Sequence, residues 1–94
     1  MSKENVKEKD FVDEKQNQKK EKSHLLVLYN DEINTFDFVI DSLVEICKHS
    51  PEQAEQCTMI AHLKGSCDVK KGVYETLKPI KEKLNSKGLR AVIL

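Results

Sequence analysis

HLLVLYNDEINTFDFVID, residues 24–41, sets a short apolar run against a polar cluster and then against a helix start. Leu25, Leu26, Val27, Leu28 and Tyr29 are too few for an independent helix and suit a buried strand with a β-branched centre. Asn30, Asp31 and Glu32 then place one amide and two carboxylates at the strand's end. Acceptors grouped in this way suit a cationic head group, because charge-assisted hydrogen bonds are stronger than neutral ones. On its own the tripeptide reads first as an ordinary turn, since Asn and Asp are common turn formers. Asn34 is the expected N-cap of the next helix, with Asp37 in its first turn where negative charge favours the helix dipole. Phe36, Val39, Ile40, Leu43, Val44 and Cys47 then recur at helical spacing and form one apolar face, which predicts a helix ending near His49.

Downstream, Ser50-Pro51-Glu52-Gln53 is a second helix start, with Ser50 as N-cap, Pro51 at the first helical position and Gln53 placed to close a capping box. That helix should run to about Lys64 and stop at Gly65. Its inner face is thin, built from Ala54, Cys57, Ala61 and Ile60, so another element can approach closely. Residues 67–71 alternate as a short strand would, with Cys67, Val69 and Lys71 on one face. Val73, Leu77, Ile80 and Leu84 mark a third amphipathic helix, with a kink or restart expected at Pro79. Gly88 should end it, and residues 89–94 form a last strand rich in Val and Ile. The order is β-α-α-β-α-β. A small two-layer α+β sandwich of three short antiparallel strands and three helices buries every apolar face.

Upstream, residues 1–22 mix Lys and Glu with few apolar side chains, so they are expected to form a flexible tail in front of a domain at 23–94. Phe11 and Val12 are the place in that tail for a partner contact. Sixteen basic and 16 acidic residues balance, which leaves no field to draw the molecule towards nucleic acid or an anionic membrane. The apolar runs are too short to span a bilayer and the first residues carry no secretory signal, so a cytoplasmic protein is expected. Cys47, Cys57 and Cys67 are expected as free thiols that act as small core hydrophobes.

The strand followed by Asn30-Asp31-Glu32, Thr35 and Val39, the Ala61-His62-x-x-Gly65 helix end and the Val73-Tyr74-Glu75 helix start together resemble the ClpS family, the adaptors of the Clp protease. The resemblance covers about residues 23–94 in the same element order. It implies a non-enzymatic adaptor that binds proteins with a large hydrophobic N-terminal residue (Leu, Phe, Tyr or Trp) and delivers them to a Clp-type AAA+ ATPase. It implies a monomer with no cofactor. By the same resemblance Asn30, Glu32 and His62 hold the substrate's α-amino group, with Asp31 on the same polar rim. The side-chain pocket falls to Leu28, Tyr29, Phe36, Val39, Thr58, Ala61 and Leu89, and docking on the unfoldase to Glu75. The chemistry agrees with the residues: an α-ammonium offers three donors, and an amide oxygen, a carboxylate and a ring nitrogen are acceptors. Without the resemblance, His62 reads as a helix-end histidine and the pocket residues as ordinary core.

Some positions depart from the family pattern. Glu32 stands where the family has Asp, Thr35 where it has Pro, and Phe36 where it has a Met gatekeeper. Phe36 should narrow the pocket mouth, whereas Thr58 and Ala61 should widen its wall. Lys70-Lys71-Gly72 replaces the usual Cys-Gly-Val before the third helix. Other classes fit less well. No nucleophile motif surrounds a cysteine, and Cys57 and His62 point to different helix faces, which argues against a shared metal. The serious rival is an interaction domain resembling the C-terminal domain of the ribosomal stalk protein, indifferent to a free N-terminus.

Overall fold

In the computed structural model, residues 22–94 are described, and both the expected tail and its Phe11 and Val12 contact segment lie outside them. The apolar run becomes β1 (Ser23–Tyr29), the central strand of a three-stranded sheet. The helices α1 (Phe36–Cys47) and α2 (Pro51–Lys64) follow, then β2 (Ser66–Val73), α3 (Tyr74–Ser86) and β3 (Arg90–Ile93). Sheet order is β2-β1-β3 and both pairings are antiparallel. The expected element order and the α+β sandwich are therefore the ones observed.

Leu26, Leu28, Leu43, Leu77 and Leu84 are the largest fully buried side chains. Each contributes about 1.5–3 kcal/mol by leaving water. Leu26 and Leu28 bring the inner face of β1 to this cluster, Leu43 and Cys47 bring α1, and Leu77 and Leu84 bring α3. The inner face of α2 is thin, as expected, but its members differ: Ala54, Cys57, Thr58 and Ala61 are buried, while Ile60 is exposed.

Helix ends show where side-chain chemistry overrode simple pattern. Thr35, not Asn34, caps α1: its hydroxyl accepts from the Phe38 N–H at 3.1 Å. Asn34 is taken up instead by the Asp31 carboxylate, to which both its backbone N–H and its amide donate. The helix stops two residues early, at Cys47, where Lys48 turns left-handed with φ 61°. Ser50 caps α2 as expected, accepting from Gln53 N–H at 3.1 Å. Gly65 ends it at φ 97°, a conformation open to glycine and strained for other residues.

Two further expectations change. Lys71 does not share the face of Cys67 and Val69. The β1–β2 register jumps between Leu26 and Val27, pairing Leu26 with Lys70 and Val27 with Asp68. Val69 is thus the extra residue of a β-bulge, and the alternation reverses after it, leaving Lys71 exposed. α3 does not restart at Pro79: the helix is continuous from Tyr74 to Ser86 with the proline inside it. Glu75 and Pro79 lie on the exposed side, so water can serve the carbonyl whose partner the ring removes.

Candidate functional site

The segment from Asn30 to Thr35 leaves β1 and must turn before α1, and its own side chains build that turn. Asp31 Oδ1 accepts from Ile33 N–H at 2.9 Å and from Asn34 N–H at 2.8 Å. Partial desolvation pushes the Asp31 carboxyl up, but the bonds from Asn34 and Ile33 outweigh it and hold the group below its ordinary value of 3.8. Two bonds then fix the turn to the rest of the fold. Asn30 N–H donates to Gly65 O at 3.0 Å, at the end of α2, and the Asn34 amide donates to Gly88 O at 3.0 Å, just before β3.

A cavity of about 210 Å³ opens where these pieces meet. All of Leu28, Tyr29, Asn30, Asp31, Glu32, Phe36, Val39, Thr58, Ala61, His62 and Leu89 line it, so every residue expected at the amino-group site or the side-chain pocket converges on one place. Asn34 and Thr35 line it too and were not anticipated there. The Asp31-x-x-Asn34 spacing was the available signal, because an Asx turn satisfies backbone donors two and three residues ahead. Glu75 lies elsewhere, exposed in the first turn of α3.

Depth separates two kinds of surface. Leu28, Thr58, Ala61 and Leu89 are each 4% exposed or less and make the wall. The Thr58 hydroxyl donates to Ala54 O at 2.8 Å, so its proton is spent within the helix. Phe36, at 39% exposed, stands at the mouth. Its ring meets that of His62 edge to face, with centroids 5.2 Å apart at 74°, a geometry that aromatic pairs favour.

The rim is a set of acceptors. The Asn30 amide nitrogen points to Glu32 Oε2 at 3.4 Å, which leaves the Asn30 carbonyl oxygen for another donor. Glu32 is exposed and ionisable, and His62 adds a ring nitrogen from the last turn of α2. Behind the rim, the Arg90 guanidinium sits 5.1 Å from the centre of the Tyr29 ring, steadying the strand end. Chemically, the arrangement can enclose one apolar side chain and accept hydrogen bonds from a cationic group next to it. No group of three or more His, Cys, Asp or Glu residues able to hold a metal occurs among the described residues.

These features define a small α+β domain with a cavity that sets an apolar wall beside an acceptor-lined mouth. The sequence profile of the ATP-dependent Clp protease adaptor protein ClpS matches residues 19–92, and the chain belongs to that family. Its fold is also similar to the solved structure of Agrobacterium tumefaciens ClpS2 bound to L-phenylalaninamide, with a TM-score of 0.69 and 21% identity, covering 80% of this chain and 98% of that one. No curated protein sequence matches the chain.

Proposed function

We propose that this chain is an adaptor that binds polypeptides through a free, large hydrophobic N-terminal residue and delivers them to a Clp-type AAA+ ATPase. One observation carries the reading: a cavity of about 210 Å³ in which the apolar side chains of Leu28, Val39, Ala61 and Leu89 meet the polar groups of Asn30, Glu32 and His62. L-Phenylalaninamide, the ligand of the similar ClpS2, joins a free α-amino group to a benzyl side chain, the pair of features that this cavity complements. The side chain enters between Val39, Thr58, Ala61 and Leu89, and the ammonium stays at the rim. Burial of one such side chain contributes about 1.5–3 kcal/mol. Each charge-assisted bond at the rim adds roughly 1.5–3 kcal/mol, which after association costs is enough for micromolar binding.

Nothing in this reading asks for catalysis or a cofactor, and the family is one of adaptors. The protein acts as a monomer in the cytoplasm, with Glu75 on α3 contacting the ATPase. Among the described residues no helix is long and apolar enough to cross a membrane. The test is fluorescence anisotropy with labelled peptides beginning with free Leu, Phe, Tyr, Trp or Val, titrated with wild type and His62→Ala. Binding restricted to the large hydrophobic N-termini and weakened by the substitution supports the reading. Equal binding of all peptides, or of none by a folded domain, rejects it.

A further inference from the structure

α2 and β2 are joined by the tight turn at Gly65, and each sends one cysteine into the seam between them. Cys57 lies on the buried face of α2. Cys67 stands opposite Leu28 in the β1–β2 register, and so shares the inward face of the sheet with that core residue. The two sulfurs are 2.7 Å apart, closer than non-bonded sulfurs ordinarily approach and a small adjustment from the roughly 2.05 Å of a disulfide. Both thiols also face the Asp68 carbonyl, at 4.0 Å from Cys57 and 3.5 Å from Cys67. The third cysteine, Cys47, is the last residue of α1 and is buried in the main cluster, and among the described residues the direct sulfur–sulfur contact is that of Cys57 with Cys67.

We propose that Cys57 and Cys67 are a disulfide-forming site that reversibly staples the pocket-bearing helix α2 to the sheet. The oxidant is a small-molecule disulfide of the glutathione class. Cys67 is only partly buried, so it reacts first: it loses its proton, and its thiolate attacks the oxidant and displaces one thiolate, leaving a mixed disulfide on Cys67. Cys57, 4% exposed, is reached only from within the fold. It then gives up its proton and attacks the Cys67 sulfur, releasing the second small thiol. In balance, two protein thiols and one small disulfide become one protein disulfide and two small thiols. Burial, and then the neighbouring Cys67, push the Cys57 thiol up and keep it protonated until that second step.

The bond would sit directly behind the cavity, since Thr58 follows Cys57 on α2 and Leu28 pairs with Cys67, and both line the pocket wall. Because the sulfurs already touch, oxidation fixes the wall in place rather than displacing it. The site stands on thiol geometry alone, whatever the cavity binds.

The experiment treats the full chain with oxidised glutathione, then counts thiols after denaturation and maps the linked peptides by mass spectrometry, with dithiothreitol as the reversal. The expected result is loss of two of the three thiols, a mass lower by two hydrogens, a crosslink between the peptides of Cys57 and Cys67, and retention of Cys47. Thermal unfolding of the oxidised chain should rise by roughly 5 to 15 °C, because closing even this short loop removes chain entropy from the unfolded state. Cys67→Ser should abolish both changes. Three titratable thiols after treatment, a stable glutathione adduct on Cys67 with Cys57 still free, or crosslinks between two chains would each overturn the proposal. The mapping needs only wild type, so a poorly folded variant does not blunt it.

Discussion

The cavity and the outer face of α3 are both proposed contact regions, and they are built on different principles. The cavity draws on β1, the following turn, α1, α2 and the residue before β3, and the Asn30 and Asn34 anchors hold these together. Glu75 stands in the exposed first turn of α3, whose N-cap Val73 makes no side-chain cap bond. Residues far apart in sequence that meet with matched chemistry leave an imprint that chance packing does not leave. A single exposed carboxylate on a helix is ordinary surface until a partner is placed on it. The cavity thus supports a proposal by its own geometry, and Glu75 supports one only by resemblance.

The largest effect at the cavity should come from removing the ligand's charge. Acetylating the N-terminus of a Leu peptide deletes every charge-assisted bond at the rim, and anisotropy should show affinity falling by more than about 100-fold. Next, His62→Ala removes one acceptor together with the edge-to-face partner of Phe36. A loss of about 10- to 100-fold is expected in the same assay, with the unfolding temperature little changed because His62 is exposed.

Smaller effects test the turn beneath the rim. Thr35→Ala deletes the cap of α1 and should lower stability by about 1 kcal/mol in denaturant titration. The Asp31 carboxyl is held below its ordinary value, so its contribution is complete above that value and is lost as pH falls through the folded one. The stability gap between wild type and Asp31→Asn should therefore be present at neutral pH and close as the pH falls below the ordinary value of 3.8. At the small end lies the α3 face. Glu75→Lys should leave peptide affinity unchanged while slowing Clp-dependent degradation of a Leu-tagged reporter. If that substitution weakens peptide binding as much as His62→Ala does, the two regions are not separate.

Most of the architecture was legible because apolar spacing is set by the core. The Phe36 to Cys47 stripe, the Ser50-Pro51 start and the Gly65 stop each follow from local rules, and each sits within two residues of its expected place. What escaped depends on contacts between segments. Asn34 and Thr35 are both good caps, and only the Asp31 carboxylate, by engaging Asn34, decides between them. The bulge at Val69 cannot be read from a weakly alternating strand, so alternation alone puts Lys71 on the wrong face. The continuity of α3 through Pro79 depends on which side of the helix faces water, a property of packing. The convergence of the cavity residues was foreseen only through the family resemblance. Leu28, Val39 and Leu89 taken singly are indistinguishable from core, and only their meeting with Asn30, Glu32 and His62 sets them apart. The meeting of Cys57 and Cys67 was not visible at all, because it arises from how the α2–β2 turn folds back.

A crystal structure of the chain with L-phenylalaninamide would show where the cavity takes its ligand. The benzyl ring should lie between Val39, Thr58, Ala61 and Leu89, with the ammonium bonded to the Asn30 oxygen, Glu32 and His62. A ligand bound with its amine away from these three groups, or bound elsewhere while the cavity stays empty, would contradict the proposed function.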